Sequence, residues 1–265
     1  MADALTSRVP WVLPADVHAA ILLDEARAAL RRGEPAIAAV FAEEVLDRDR
    51  DDVEALCIVA DAAPRYGHGE VGVLAAAQAA GRGARADTLR AAAQLASCQV
   101  DAALGSAEQA LAEDPDDARA HAVRAQALEF LGRPDAADDA YHHAYRLRPA
   151  AYPRPLAVPD GTWDTLVHAA RADLVPELRD TLRRVELALD DLPDLAALRA
   201  LVPPPNPTSD GVLFGQGRTA RMVLYRRNLA RGAASLDDVT ARITHALEGE
   251  LEALLDREEA ACASP

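Results

Sequence analysis

Apolar and small residues recur at helical spacing through the first half of the chain, and the recurrence itself repeats. Two stretches superpose at a spacing of 34 residues, with Ala91 on Ala125, Cys98 on Gly132, Ala103 on Ala137, Ala107 on Tyr141, Ala110 on Ala144 and Pro115 on Pro149. An earlier stretch, about Ala19 to Asp52, carries Ala26, Gly33, Ala38 and Val45 at matching offsets, with Arg50 where Pro would stand. Between them a weaker one, about Val53 to Gly83, has Leu56, Ala60, Ala76 and Ala79 and must be about three residues short for the register to hold. The pattern predicts four helix pairs over residues 15–149. Four Pro in the eleven residues from Pro149 to Pro159 then favour an extended, stiff path, read as a linker over 150–161. Thr162 is placed as the N-cap of a helix with Trp163, Leu166, Val167, Ala170 and Leu174 on its apolar face, running into Val175-Pro176-Glu177-Leu178. Arg184 to Leu189 alternates as a half-buried strand does. A last helix, Leu236 to Glu259, has an apolar stripe of Val239, Ile243, Leu247, Leu251 and Leu254 or Leu255, with Ser235 and Asp238 at capping-box-like spacing.

The spacing of 34, with Ala125, Gly132, Ala137, Tyr141, Ala144 and Pro149 all in place in the segment Ala118 to Pro149, resembles the tetratricopeptide repeat (TPR). In that family small residues let the two helices of a unit press together, Gly makes the turn between them, and Pro breaks the chain before the next unit. The resemblance implies an α-solenoid whose concave face is lined by the first helix of each pair and holds a protein or peptide partner. Here that face is expected to include Leu23, Arg27, Leu30, Arg85, Thr88, Arg119, Ala122, Gln126 and Phe130. His121, His142 and His143 lie among these helices. Adjacent His142 and His143 point about 100° apart on a helix, which favours solvent-facing or packing roles over a metal site.

The second half resembles the minimal zincin-like metallopeptidase domain from about Trp163 to Leu255. Arg184-Val185-Glu186-Leu187-Ala188-Leu189 followed by Asp190-Asp191-Leu192-Pro193 is similar to its first strand, and Gly211-Val212-Leu213-Phe214-Gly215 to its "GLF-x-G" run. Met222 to Leu229 is similar to its "LY-x-x-N-L" strand, reached after a Pro-rich loop, Val202 to Pro207, and a shortened connection. The resemblance implies a small α+β domain, 162–259, closed by a helix that in the family carries HExxH, two imidazoles for zinc with a Glu as general base. In this sequence His245 stands at the first ligand, Ala246 at the base and Gly249 at the second His. Without a second imidazole or a proton acceptor, a hydrolytic zinc is not expected, and no cofactor is assigned. Glu248, Glu252 and Asp256 follow His245 along one helical stripe, so the alternative to a solvated acidic face is a peptidase with an altered metal site at His245, Glu248 and Glu252.

Composition narrows the partners. The formal net charge is −15 and the pI about 4.8, which repels a phosphate backbone and excludes nucleic acid. Cys57, Cys98 and Cys262 have neither metal-ligand spacing nor a disulfide framework and are read as free thiols of a reducing compartment. Met1 to Pro14 does not make a signal peptide, and no apolar run reaches the ~18 residues of a membrane span. The chain is therefore expected to be a mostly α, cytoplasmic, non-catalytic adaptor, a TPR-like solenoid followed by a small α+β domain that lacks HExxH. The repeat face is expected to be the binding surface, with the second domain as the other candidate for that role.

Overall fold

The computed structural model describes residues 15–66, 68–202 and 204–263. Met1–Pro14, where no signal peptide is expected, lies outside the described residues, as does the side chain of Cys262. The chain divides into two compact units, Met1–Ala93 and Gln94–Pro265. It is mostly α: a helical repeat region is followed by a small mixed α+β part with a three-stranded sheet. Among the described residues no helix is long and apolar enough to cross a membrane.

In the first unit α1 (Ala15–Arg32) and α2 (Pro35–Leu46) form one helix pair, and α3 (Val53–Ala62) and α4 (Gly69–Ala79) a second. The register residues are the core: Ala26, Ala38 and Ala79 are fully buried, and Leu56, Ala60 and Ala76 nearly so. Asp52 caps α3 by accepting the Ala55 N–H at 2.8 Å. A 3₁₀ turn, Ala63–Tyr66, ends α3, and the three-residue shortfall of the second repeat falls in the short connection between Ala79 and Ala84. Gly33 makes the α1–α2 turn in the left-handed region, φ 78°, which an L side chain resists. The next helix, α5 (Ala84–Ala96), crosses the division between the units.

The second unit begins with the last residues of α5 and continues with α6 (Val100–Glu113), α7 (Ala118–Phe130) and α8 (Pro134–Leu147). Gly132 takes φ 67° at the α7–α8 turn, and Cys98 takes φ 60° at the equivalent α5–α6 turn. Ala125, Ala137 and Ala144 are fully buried between α7 and α8 and Tyr141 nearly so, as the register requires. The Pro-rich stretch after α8 is anchored: Leu156 N–H donates to the Ala230 carbonyl, and Leu156 and Val158 pack on the core of the α+β part.

That part contains α9 (Trp163–Asp173), α10 (Pro176–Leu182), β1 (Glu186–Asp190), α11 (Leu195–Arg199), β2 (Gly211–Phe214), β3 (Arg221–Tyr225), α12 (Arg226–Ala230) and α13 (Leu236–Ala263). The sheet order is β1-β3-β2, with β1 parallel and β2 antiparallel to β3. Two details depart from expectation. Pro176 does not sit in the tail of α9 but starts α10, where its fixed φ and missing N–H cost nothing. The strand expected over 222–229 ends at Tyr225 and turns into a helix, which carries Asn228 inward; its Nδ2 donates to the Pro207 carbonyl at 2.8 Å and the Ser209 carbonyl at 2.6 Å. Asn228 thus ties down the loop before β2.

The alternation along the strands sends Leu187, Leu189, Leu213, Met222 and Leu224 to one face, against α13 and α9, where Val239, Ile243, Leu247 and Leu251 are fully buried. The other face, with Ala188, Val212, Val223 and Tyr225, packs on Leu195 and Leu198 of α11 and on the Cys98 side chain. A Cβ at Gly211 would come within 2.7 Å of Met222 Cε and 2.9 Å of Leu224 Cδ2, so this strand start admits only glycine without repacking. A buried polar cluster joins the last helix pair to the α+β part. Tyr141 donates to Glu129 Oε2 at 2.6 Å, and Arg231 reaches the same oxygen at 2.7 Å and the Tyr141 hydroxyl at 3.0 Å. Burial pushes the Tyr141 pKa far up, so its hydroxyl stays a donor to Glu129.

Arg231→Ala would leave Glu129, 7% exposed at its side chain, as a buried carboxylate without its nearest cation. Chemical denaturation should show a loss of about 3–5 kcal/mol, against a fraction of that for Arg183→Ala, which removes an exposed ion pair.

Candidate functional site

The residues expected on the repeat face separate into three groups. Arg27 of α1 and Arg85 of α5 come together on Glu54 of α3: Arg27 Nε donates to Glu54 Oε1 at 3.0 Å and Arg85 Nη1 donates to the same oxygen at 2.7 Å. Arg27 also pairs with Asp24 at 2.6 Å. Burial works against ionisation of Glu54, but the two guanidinium hydrogen bonds outweigh it and hold its pKa below the usual carboxylate value. Leu23 and Thr88, by contrast, are 9% and 2% exposed and belong to the interior, and Leu30 packs against the core. The first helix of a pair touches its own partner helix and the next pair, so its apolar stripe is wide and takes in positions assigned to the face. In the second unit Arg119, Gln126 and Phe130 are half-buried on α7, and Ala122 is buried.

The three histidines are placed unevenly. His121 is buried, with Nε2 2.9 Å from the Pro115 carbonyl, and its ring stacks on His143 at 5.1 Å between centroids; His142 is exposed. A hollow of about 290 Å³ beside His121 is lined by Glu108 and Arg124, which face each other at 3.7 Å.

On α13 the phase of the apolar stripe decides what each polar residue does. Val239, Ile243, Leu247, Leu251 and Leu254 face inward, which leaves His245, Glu252 and Asp256 exposed and Glu248 half-buried. Among the described residues no group of three or more His, Cys, Asp or Glu side chains is arranged to hold a metal ion. The residues read from the sequence as a zincin-like zinc position do not fit the metal: an imidazole facing solvent is followed by Ala246 and Gly249, which offer neither base nor ligand. The cleft of about 630 Å³ in this part is lined by Thr181, Arg184, Val185, Leu254 and Glu258, roughly 14 Å along α13 from His245 at 1.5 Å per residue.

Sequence reasoning missed two groups. Glu54 carries no local signal, because its partners are 27 and 31 residues away. Glu250 turns toward the sheet and accepts the Leu213 N–H at 3.3 Å, on the strand edge that β3 does not use. Burial raises its pKa, with the Leu213 hydrogen bond acting the other way. The folded chain therefore binds this proton more tightly than the unfolded chain. The group's contribution to stability is present below the unfolded value of about 4.3 and is lost as pH rises through the raised one. Glu250→Gln keeps an acceptor for Leu213 and removes the buried charge. Urea titrations should find it more stable than the parent at pH 7, with the difference vanishing by about pH 4.

No protein-family model matches the chain, and no curated protein matches it. Solved structures do resemble it in part. A crystal structure of MamA is 19% identical over 47% of this chain and 75% of its own length, at a TM-score of 0.40. TTC0263, a thermophilic TPR protein in Thermus thermophilus, is 19% identical over 49% of this chain and 75% of its own, at a TM-score of 0.46. A second crystal structure of MamA protein covers 51% of this chain and 75% of its own at 19% identity and a TM-score of 0.42. In each case the matched part is about half of this chain.

Proposed function

We propose that this chain is a non-catalytic adaptor whose repeat array, residues 15–149, captures a protein or peptide along the side chains of its first helices. The α+β part, 162–259, is in this reading a zincin-like fold without its metal site, serving as a docking module in the cytoplasm. The observation that carries the proposal is the convergence of Arg27, Glu54 and Arg85 from α1, α3 and α5 on one oxygen atom. Three successive first helices project side chains onto one common surface there, and that surface carries exposed guanidinium groups that an incoming carboxylate can engage. Arg119, Gln126 and Phe130 offer a cation, an amide and an aromatic ring on α7. The acidic stripe of α13 faces solvent, which suits a solvated surface better than a rebuilt hydrolytic centre.

With a partner first trapped by crosslinking and then purified, Arg119→Ala combined with Phe130→Ala should weaken binding at least tenfold, or about 1.4 kcal/mol. Unchanged affinity in titration calorimetry would remove α7 from the binding face. Metal analysis of the purified chain should find no zinc bound in proportion to protein. Zinc at one ion per chain that disappears in His245→Ala would instead establish the altered peptidase site.

A further inference from the structure

The second helices of the first two repeats present apolar side chains to solvent at equivalent positions. Ile37 and Val40 on α2 stand 34 residues before Val71 and Leu74 on α4, the spacing of the repeat itself. All four are exposed, Val40 by 63% and Leu74 by 70%. In the same register, which is three residues short after α4, these positions hold Ala102 and Gly105 in α6 and Ala136 and Asp139 in α8, none of them a large apolar residue. Apolar exposure at these places therefore belongs to the first two repeats and is not a requirement of the repeat fold.

A groove of about 490 Å³ lies between the two helices, lined by Glu43 and Leu46 of α2, Asp47 at its C-cap, Leu56 of α3, Gln78 of α4 and Arg50. Val40 precedes Glu43 by three residues and Asp47 by seven, and Leu74 precedes Gln78 by four, so both lie on the helix stripes that wall the groove. The helix surfaces that continue one end of the groove are thus apolar. The other end is acidic, because Glu43 and Asp47 outnumber Arg50 and the carbonyl end of α2 adds partial negative charge. A channel between two helices with apolar contacts at one-turn intervals is shaped for an amphipathic helix.

We infer that this groove docks a basic amphipathic helix of a partner protein, its apolar stripe on Val40 and Leu74 and its Arg or Lys side chains on Glu43 and Asp47. Charge selects this occupant over a second copy of the chain. A self-complementary contact would bring Glu43 and Asp47 of both copies together in a protein already at −15. The surface is separate from the one proposed above, since it uses the second helices of the pairs and none of Arg27, Arg85, Arg119 or Phe130.

The test uses the full chain and two synthetic helical peptides with the same Leu stripe, one flanked by Arg and the other by Glu, followed by fluorescence anisotropy. The Arg peptide should bind at least about tenfold tighter than the Glu peptide, with an affinity that falls as salt is added. Val40→Ser with Leu74→Ser should cost at least tenfold, at solvent-facing positions where circular dichroism should stay unchanged. Glu43→Lys with Asp47→Lys should reverse the preference between the peptides. Equal binding of the two peptides, or binding that survives both double variants, overturns the inference. So does a dimer in sedimentation that Val40→Ser with Leu74→Ser dissolves, which would make a second copy the occupant. Arg119→Ala with Phe130→Ala should leave the peptide affinity unchanged, which keeps this outcome separate from that of the first-helix face.

Discussion

A three-stranded sheet with apolar side chains on both faces has to be covered twice, and the second unit is arranged around that requirement. Strands of four or five residues do not hold together in water by their own ladders. One face is closed by α9 and α13, which bring an apolar stripe long enough to cover all three strands. The other face is closed by the short α11 and by Cys98. That cysteine stands in the left-handed turn position that Gly33 and Gly132 take in other pairs, where a side chain is disfavoured by roughly 1–2 kcal/mol. Its side chain reaches the cluster of Leu198, Val212, Val223 and Tyr225, and Arg199 donates to its carbonyl. Burial raises the thiol's pKa, so Cys98 acts as a small apolar residue and not as a nucleophile.

The polar cluster of Glu129, Tyr141 and Arg231 works in the same direction from α7 and α8. A carboxylate this buried is tolerable only when its charge is answered, here by the Tyr141 hydroxyl and the Arg231 guanidinium on Oε2 and by Arg227 3.9 Å from Oε1. Burial alone would lower the Arg231 pKa, but Tyr141 and Glu129 more than offset it and the guanidinium stays charged. The geometry of the cluster requires the end of α12 to sit over the α7–α8 pair. The Pro-rich stretch between them is consequently held in place, as the Leu156 to Ala230 hydrogen bond shows.

Much of this arrangement is legible along the chain, for a specific reason. Close packing of paired helices demands small residues at fixed offsets, so Ala26, Ala38, Ala125, Ala137 and Ala144 announce themselves at a spacing of 34 before any fold is known. The even and odd positions of Leu187 to Leu189 and of Met222 to Tyr225 are equally readable, because a strand's two faces have period 2. The exact termini are less so: Pro176 suits a helix start as well as a helix end, and nothing local distinguishes Tyr225 as a last strand residue from Leu224. Leu23 and Thr88 illustrate a different limit. Their phase on the helix is compatible with either neighbour, and only the packing of the adjacent pair makes them interior. Glu54 lies beyond sequence reasoning altogether, since its two cations arrive from separate helices.

The closing helix shows how the phase of an apolar stripe decides which polar group of a helix meets the core. His245 and Glu250 are five residues apart, about 140° around the helix axis at 100° per residue. The stripe of Val239, Ile243, Leu247 and Leu251 fixes the rotation of the whole helix, and this rotation exposes the imidazole while directing the carboxylate to the edge of β2. Turning His245 inward would require the helix to expose leucines that are fully buried, at about 1.5–3 kcal/mol for each side chain moved into water. No single polar interaction at that position could recover so much. The apolar core therefore dictates which polar residue of α13 meets the sheet, and it selects one whose burial disfavours its own charge.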